Sequence, residues 1–490
     1  MSQKKLISEI LTESVVSSKS WGNSYKYLPQ LINKFNLKKG IEIGVAYGGH
    51  AETILNSTKI NTLYGVDPYL HFDGFNDPMN FNQHKFNMLY KFTKKRLSRF
   101  GKRYRHIRMS SDTAANKFKD DSIDFIYIDA DHSYDGVNND LCLWFSKVKD
   151  GGIISGHDYG HINFPGVKKA IDEFFERFDW NVNSNKSGFW WVEKKQIPIS
   201  FIVPAYNCEK YITKAVESIM KTNFSKGDEV VICNDASTDK TELVIKKLIK
   251  KYPNIKYVKH VRNKGGGAAR NTAIENTSNE LIFCLDSDNI LVEGSIIKLK
   301  DFLINTGSDI AAFQELHYFV NSIKEVTHKW IFKPGKFTIE DYLSGIKVPG
   351  ASGNYLFTKK SWINAEGYPE YAGSSDTWGF GFQQLITGSK MMVMEKSFYF
   401  HRYGYESYWV RESRKNNLSL NVLRIIIPFL DFIRDEDIEY IFSPKGRYIW
   451  FENLDKHPIR LKNNDTLKKR NCRNFFKLYF NKLVRIILNR

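Results

Sequence analysis

The 490-residue sequence predicts an α/β protein with two α/β units, built as layered sandwiches of sheet and helices, and a helical C-terminal extension. Two observations carry this prediction. Over roughly 35–193, and again over roughly 197–405, apolar strand-like runs alternate with helical runs, which indicates parallel sheets covered by helices. Each unit also opens with a strand, a turn and a helix, and the polar segment VEKKQIPIS separates them. We therefore expect domains at 1–195 and 196–410 and an extension at 411–490.

Composition and charge narrow the classes of function. The net charge of +18 suits phosphate-bearing ligands, anionic lipid or nucleic acid without choosing among them. The five cysteines form no CxxC pair, so neither a disulfide scaffold nor a cysteine zinc site is expected, and a reducing compartment is favoured. The N-terminus lacks a signal-peptide core, and no uncharged run reaches the ~18 residues of a membrane span. We expect a cytoplasmic protein.

The first unit begins with a glycine-bearing turn in GIEIGVAYGGHAETIL. A short strand containing Glu42 ends at Gly44, and Gly48 precedes a helix, so a ligand could approach the backbone at a helix N-terminus. The next strand ends at Asp67, where an acid can accept hydrogen bonds from ribose hydroxyls or merely cap a helix. A third strand leads to Asp112, placed to hold an adenine amino group.

The fourth and fifth strands of this unit deliver a polar cluster. The run IDFIYIDADHSYDG ends in Asp129, Asp131 and His132, and GGIISGHDY ends in His157 and Asp158. Ligands of open α/β sheets bind at the carboxyl ends of the strands. These side chains could hold a divalent cation and supply a general base, or they could cap helices and turn loops.

The second unit carries four pieces in a fixed order, and the first of them is the apolar strand and turn PISFIVPAYN. Asp235 follows the strand EVVICN, and the glycine-rich GGGAARN supplies Arg270, which can meet a phosphate or a base edge. The buried strand LIFCL then ends in Asp286 and Asp288, two carboxylates that can share a cation and so neutralise a diphosphate leaving group. Each piece alone has a structural explanation as a cap, a loop or a turn, but their order together favours function.

On its motifs, EIGxxxGG, YGVDPY, IDADHSYDGVNNDL and VKDGGIISGHDY, the first unit resembles class I S-adenosylmethionine-dependent methyltransferases over about 150 residues. It is most similar to the sugar O-methyltransferases of antibiotic pathways. The resemblance implies a Rossmann-like fold and a cofactor site at Glu42, Gly44, Gly48, Asp67 and Asp112. It also implies Mg²⁺ at Asp129 and Asp158, with His132 as the base. His157 stands where that subgroup tends to have an acid, which leaves the metal requirement open.

From Ile199 to about Trp409 the chain resembles the family 2 glycosyltransferases of GT-A fold. The resemblance implies inverting transfer from a nucleotide-diphosphate sugar, a UDP-sugar first of all, with Mn²⁺ or Mg²⁺. It assigns the nucleobase contacts to Pro204, Tyr206 and Asp235, a donor-side contact to Arg270, the ribose contact to Asp286, and the metal to Asp288 and His401.

One departure from that family concerns the catalytic base. The family usually presents Glu-Asp after the acceptor segment, whereas this chain reads GSSDTWGFGFQQLITG, so the usual base position falls on Thr377. We assign Asp376 as the base because inverting transfer needs a carboxylate and no other lies near. The alternatives are that Asp376 only positions the acceptor, or that the transferase is inactive.

The function predicted on these grounds is a bifunctional enzyme of polysaccharide biosynthesis that transfers a sugar and O-methylates a sugar hydroxyl. The acceptor would be a glycan or a lipid-linked glycan. One alternative is a glycosyltransferase whose methyltransferase-like domain is a degenerate binding module. Another is a nucleic-acid-binding or nucleic-acid-modifying protein, which the charge invites but the acidic pocket of the second unit disfavours.

The C-terminal tail has the pattern of a basic amphipathic helix. One face would carry Cys472, Phe476, Tyr479, Phe480, Leu483 and Ile487. Such a helix can lie at an anionic membrane surface, which predicts peripheral membrane contact, or it can pack against the transferase domain.

Overall fold

The computed structural model describes residues 24–73, 80–404 and 418–462. The chain divides into two compact units, Met1–Gln196 and Ile197–Arg490. No helix in the described part of the chain is long and apolar enough to cross a membrane. The amphipathic tail predicted between Cys472 and Ile487 lies outside the described residues.

A seven-stranded sheet forms the centre of the first unit. Its strands are β1 (Lys39–Ile43), β2 (Thr62–Val66), β3 (Tyr104–Ile107), β4 (Ile123–Ile128), β5 (Val148–Gly156), β6 (Asn183–Ser184) and β7 (Trp190–Glu193). They lie in the order β3-β2-β1-β4-β5-β7-β6. β1 to β5 are parallel, and β7 is antiparallel to both of its neighbours. The carboxyl ends of β1, β4 and β5 therefore meet at one edge, where the predicted polar cluster lies.

The helices of the first unit bury apolar stripes. They are α1 (Tyr27–Lys34), α2 (Gly49–Ser57), α3 (Gln83–Leu97), α4 (Ser111–Ala115), α5 (Tyr134–Phe145) and α6 (Pro165–Glu176). In α6, which begins with Pro165, the buried residues Val167, Ala170, Ile171 and Phe174 recur at spacings of three and four, as a helix with one buried face requires. The side chain of Ser133 caps α5 by accepting from Gly136 N at 3.0 Å, so α5 begins directly after the polar loop that follows β4.

The second unit contains a nine-stranded mixed sheet. Its strands are β8 (Ile199–Ala205), β9 (Glu229–Asn234), β10 (Ile255–Lys259), β11 (Leu281–Cys284), β12 (Ile310–Phe319), β13 (Val326–Ile331), β14 (Gly335–Phe337), β15 (Tyr355–Thr358) and β16 (Met391–Arg402). They lie in the order β10-β9-β8-β11-β15-β12-β16-β14, with β13 paired to β12. β8 to β11 are parallel.

The prediction of parallel sheets is wrong for most pairs in the second half of this sheet, where only β12 and β16 are parallel among the described strands. β15 is antiparallel to both β11 and β12, β13 is antiparallel to β12, and β14 is antiparallel to β16. Alternation of strands and helices indicates which segments become strands, but it does not encode the direction in which a later strand enters the sheet. The overall α/β class predicted for both units is confirmed.

The helices of the second unit include one that is buried on all sides. They are α7 (Ile212–Met220), α8 (Thr241–Lys251), α9 (Gly266–Glu275), α10 (Ser295–Asn305), α11 (Ile339–Tyr342), α12 (Lys359–Asn364), α13 (Asp376–Ile386), α14 (Leu418–Ile426) and α15 (Asp435–Phe442). All 11 residues of α13 are buried. A helix of this kind needs cover on every side.

Part of that cover comes from the extension, residues 418–462. A Cβ on Gly379 of α13 would lie 2.7 Å from Ile425 Cδ1 of α14. The ring of Phe382 meets Phe429 at 5.6 Å, and that of Trp378 meets Phe451 at 5.2 Å. The described part of the extension therefore shares a core with the second unit.

Candidate functional sites

The polar cluster predicted for the first unit forms at the carboxyl ends of β4 and β5. His132 Nε2 lies 3.1 Å from Asp158 Oδ2 and 3.6 Å from Asp129 Oδ1. Within 24–73, 80–404 and 418–462, this is the one group of three His, Cys, Asp or Glu residues whose ligand atoms all lie within 4.8 Å of one another. Two carboxylates and an imidazole are a donor set that fits a divalent cation.

A second imidazole contacts the same group. His157 Nδ1 lies 3.3 Å from Asp158 Oδ1. Burial works against the charged form of Asp158, yet hydrogen bonds to His132 and His157 hold the pKa of this carboxyl well below its usual value. Burial also opposes the imidazolium form of His157, but Asp158 raises its pKa above the ordinary value. The ring of His132 stacks on Phe164 at 4.3 Å, so its plane is fixed by packing.

Glu42, predicted as a cofactor residue, is close enough to Asp129 for the two carboxyl groups to interact electrostatically. Its side chain is buried in β1, and Oε1 lies 3.0 Å from His50 Nδ1. Burial raises the pKa of Glu42 well above its usual value and lowers the pKa of His50 to about 3, so burial favours the neutral form of each group. No described residue bonds Glu42 Oε2. His50 was not predicted; its only signal in the sequence is its place one residue after Gly49.

Asp67 organises the glycine-bearing turn in the absence of any ligand. Its carboxylate accepts from Val45 N and Ala46 N, both at 3.0 Å, and from Tyr69 N at 2.8 Å. Burial raises the pKa of Asp67, and these backbone amides oppose the change. The ribose contact predicted for Asp67 stays a prediction, and a bound nucleoside would share a carboxylate that already fixes the turn.

The other predicted cofactor residues have packing roles or are exposed. Gly44 has φ +86°, and a Cβ there would lie 1.9 Å from the carbonyl oxygen of Asp129. A Cβ on Gly48, with φ +78°, would lie 2.9 Å from Leu97 Cδ1. Both positions therefore require glycine for close packing of the protein itself. Asp112 is exposed in the first turn of α4.

In the second unit, Arg270 joins two of the predicted carboxylates. Its Nη2 donates to Asp286 Oδ1 at 2.7 Å, and its Nη1 donates to Asp376 Oδ2 at 2.8 Å. Arg270 is 8% exposed, and burial of a guanidinium is tolerated because each side of the fork meets a carboxylate. The structure thus brings together residues that are up to 106 positions apart in the chain.

Two asparagines that the sequence analysis missed fix the loop after β11. Asp286 N donates to Asn354 Oδ1 at 2.8 Å, and Asn354 Nδ2 donates back to Asp286 Oδ2 at 2.9 Å. Asn289 Nδ2 lies 3.2 Å from Asn354 Oδ1 and 3.3 Å from His401 Nδ1. Both asparagines are buried. The sequence gives only a weak indication of these two residues. Each is a polar residue directly before an apolar run, Asn289 in DSDNIL and Asn354 in SGNYLF.

The predicted metal residues of this unit lie on adjoining segments. Burial and the neighbouring Asp286 raise the pKa of Asp288 to about 7, opposed by Arg402. Burial lowers the pKa of His401 to about 4, so its imidazole is neutral and able to coordinate. The Arg402 guanidinium lies 4.4 Å from the ring centres of Tyr211 and of Phe319.

The predicted nucleobase residues surround the end of β8. Asp235 is buried; its Oδ1 accepts from Lys264 N and its Oδ2 from Gly265 N, each at 2.8 Å. His260 Nδ1 lies 2.7 Å from the same Oδ1. Pro204 lies near the end of β8, and Tyr206, which follows that strand, is 41% exposed, so its ring is available for stacking.

Asp376 is 4% exposed at the first position of α13. Besides the Arg270 bond, its Oδ1 accepts from Thr377 N at 2.7 Å. Burial raises the pKa of Asp376, and Arg270 opposes the change. Its assignment as catalytic base stays a prediction.

Comparison with known proteins gives each unit a family. Residues 200–366 match the model of glycosyl transferase family 2, and residues 41–159 match the model of a methyltransferase domain. The chain joins a methyltransferase-like domain to a family 2 glycosyltransferase domain. Both resemblances inferred from the sequence are thereby confirmed.

Two relatives match this two-domain chain over about 100 residues each. Chondroitin synthase from Escherichia coli is 39% identical over 98 residues, 20% of this chain and 14% of that protein. Poly(ribitol-phosphate) beta-N-acetylglucosaminyltransferase TarS from Staphylococcus aureus is 36% identical over 113 residues, 23% of this chain and 20% of that protein. The chain thus spans no more than a fifth of the length of these two relatives. A solved structure of S. aureus TarS 1–349 with UDP-GlcNAc is 20% identical, with a TM-score of 0.41 over 53% of this chain and 72% of that chain; a likeness this low adds no argument.

Proposed function

We propose that the chain is a bifunctional enzyme of polysaccharide biosynthesis. Its glycosyltransferase domain would transfer a sugar from a UDP-sugar, and its methyltransferase-like domain would methylate a sugar hydroxyl with S-adenosylmethionine. The observation that carries the proposal is the convergence of Asp235, Arg270, Asp286 and Asp288 at the carboxyl ends of β9 and β11, inside the region that matches family 2. The relatives' names, an N-acetylglucosaminyltransferase and a chondroitin synthase, support a glycan product.

In the glycosyltransferase domain each side chain would have a separate task. Tyr206 would stack on the nucleobase and Asp235 would accept its N–H, while Asp286 would accept from the ribose hydroxyls. Asp288 and His401 would hold Mn²⁺ or Mg²⁺, which neutralises a diphosphate leaving group when it is bound. An acceptor hydroxyl would attack the anomeric carbon from the opposite face, its proton would pass to a base, and the sugar–phosphate bond would break with UDP as the leaving group.

In the methyltransferase-like domain the proposed reaction is an in-line displacement. S-adenosylmethionine would supply an electrophilic methyl group; a sugar hydroxyl oxygen would attack that methyl, the carbon–sulfur bond would break with S-adenosylhomocysteine leaving, and the hydroxyl proton would pass to a base. Asp129 and Asp158 would hold Mg²⁺, which orients the hydroxyl when it is bound. His132 would take the proton; its distance from both carboxylates also allows it to serve as a third ligand.

We place the enzyme in the cytoplasm, acting on a glycan or a lipid-linked glycan, with peripheral membrane contact through the tail as a further proposal. Sedimentation with anionic liposomes, comparing the full chain with one ending at Asp465, tests that contact. Equal binding by both chains would exclude the tail as an anchor.

Two ligand titrations test the double function. Isothermal titration of the full chain with UDP plus Mn²⁺, and separately with S-adenosylhomocysteine, should show two independent sites. Asp288→Ala should remove the UDP response alone, and Asp129→Ala should leave it unchanged. Binding of UDP without S-adenosylhomocysteine would favour a glycosyltransferase with a degenerate methyltransferase-like module. Failure of UDP to bind the unmodified chain would contradict the glycosyltransferase proposal.

A further inference from the structure

The network around Arg270 suggests a role for Asp376 other than proton removal. Arg270 is anchored by α9, and its fork spans the gap between the end of β11 and the first turn of α13. A Cβ on Gly266 would lie 2.8 Å from Arg270 Nη1 and 3.1 Å from Asp376 Oδ2. The ion pair therefore lies directly against the start of α9, where a side chain at Gly266 would displace it.

The surroundings of Asp376 favour an ion pair with the Arg270 guanidinium over acceptance of a proton from the acceptor hydroxyl. A general base must come within hydrogen-bond reach of the acceptor hydroxyl. Asp376 has little exposed surface, Arg270 occupies Oδ2, and the Thr377 amide occupies Oδ1. The residue at the family's usual base position, Thr377, has a hydroxyl, which is no base near neutral pH.

The opposite end of the network reaches the donor side. Each carboxylate oxygen of Asp286 accepts a hydrogen bond from a different side chain. Arg270 Nη2 donates to Oδ1, and Asn354 Nδ2 donates to Oδ2. Without Asp376, the Arg270 fork would lose one of its two carboxylate partners and could swing about its bond to Asp286. The orientation of Asp286 would then depend mainly on Asn354.

We propose that Asp376 is a positioning residue: it holds Arg270, and Arg270 in turn orients Asp286 toward the nucleoside of the sugar donor. This inference rests on the proposed function, because it needs a nucleotide at Asp286. It places the effect of Asp376 on donor affinity, whereas a base acts on turnover.

The test is a double-mutant cycle on UDP binding by the full chain. Asp376→Asn, Arg270→Met and the double variant are titrated calorimetrically with UDP in the presence of Mn²⁺. Each single change should weaken UDP binding by about tenfold, as loss of a charged hydrogen bond does. The double variant should bind UDP no more weakly than the single variant with the lower UDP affinity. Both substitutions interrupt the same series of contacts, from Asp376 through Arg270 to Asp286.

Two further variants control for folding and for charge. Asp376→Glu keeps a carboxylate for Arg270 and should restore most of the UDP affinity. Asp437→Asn removes the carboxylate from a different ion pair of the same unit, in which Arg460 Nη2 lies 2.7 Å from Asp437 Oδ1, and should leave UDP binding unchanged. Circular dichroism of every variant identifies any that fail to fold.

Turnover separates the two roles of Asp376. With the UDP-sugar that a hydrolysis screen identifies, Asp376→Asn should raise KM for the donor and lower kcat by less than about tenfold. An unchanged UDP affinity with kcat reduced by roughly 10²–10⁴ would identify Asp376 as the base and overturn the inference. Additive losses in the double variant would also overturn it. Absence of UDP binding by the unmodified chain would overturn the proposed function, and this inference with it.

Discussion

The two domains both gather carboxylates at the carboxyl ends of parallel strands, but they balance the negative charge with different partners. In the methyltransferase-like domain the partners are imidazoles, since His132 and His157 both contact Asp158. In the glycosyltransferase domain the partner of Asp286 and Asp376 is the guanidinium of Arg270, although Asp235 contacts the imidazole of His260. An imidazole can lose its proton near neutral pH, whereas a guanidinium cannot.

This difference decides which carboxylates are free to take a cation. In the first site a metal ion bound at Asp129, His132 and Asp158 would compete with a proton on His132, because metal binding and proton release are linked. In the second site the guanidinium of Arg270 stays charged and paired with Asp286, which leaves Asp288 as the carboxylate that we propose for the metal. Substitutions at four residues test this contrast and the stability of each site.

The largest effect is expected at Asp288. Asp288→Ala should reduce glycosyl transfer by on the order of 10³-fold or more, because an unneutralised diphosphate is a poor leaving group. The measurement is release of UDP from the donor with and without Mn²⁺. Metal-dependent release at the normal rate would show that Asp286 takes the cation in spite of Arg270, and would break the contrast.

His132 is the corresponding residue of the first domain. His132→Ala should slow methyl transfer by roughly 10²–10⁴ and leave glycosyl transfer intact, read as product masses with S-adenosylmethionine present. His161→Ala is the matched control, since the His161 ring stacks on the same Phe164 ring at 4.9 Å, and its bond to Asp158, from His161 N to the carbonyl oxygen, is a backbone bond that the substitution keeps. Equal methylation by both variants would remove His132 from the mechanism.

A pH-dependent stability should appear in the first domain at Asp140. This buried carboxyl accepts from Ser111, and burial raises its pKa to about 7. Because the folded pKa is above the unfolded value, the stability that the neutral acid gives is present at low pH and is lost as pH rises through about 7.

Asp140→Asn should therefore raise the free energy of unfolding by about 4 kcal/mol at pH 8.5 and by only about 1–2 kcal/mol at pH 5, because the loss in the unsubstituted chain accumulates between the unfolded pKa and the folded one. Urea unfolding followed by tryptophan fluorescence at the two pH values measures this. Asp179→Asn, at an exposed position of the same domain, should give the same small change at both. A gain for Asp140→Asn at pH 5 that equals the gain at pH 8.5 would exclude the titration of Asp140 as its cause.

The smallest effect is expected at His260, the imidazole that contacts a predicted nucleobase residue of the second domain. His260→Asn should weaken UDP binding by about threefold, because Lys264 N and Gly265 N still hold Asp235. Calorimetric titration with UDP measures it, and Thr272→Val, which removes the hydroxyl 3.0 Å from His260 Nε2, is the control. A loss above a hundredfold would mean that this site, too, depends on an imidazole.

The strand ends were predictable from the sequence, and the pairings between distant segments were not. Asp129, His132 and Asp158 were expected to meet because parallel strands present their carboxyl ends at one edge, and they do meet. By contrast, Asp286 and Asn354 are 68 residues apart and meet because β15 enters the sheet antiparallel, a direction that no local pattern encodes. The motif around Glu42 predicts a cofactor residue. Its buried contact with His50 could not be predicted, because that contact depends on how α2 packs over β1.

The packing of residues 418–462 on α13 limits where the chain can be truncated or fused to another domain. A recombination event, or a recombinant fragment, that ended the transferase near residue 410 would leave Trp378, Gly379 and Phe382 facing water. The resulting apolar surface would favour aggregation over a working enzyme. A fragment that contains the intact second unit should therefore extend at least to residue 462. A chimera that replaces the methyltransferase-like domain should be joined within 194–198, a segment that belongs to no strand or helix.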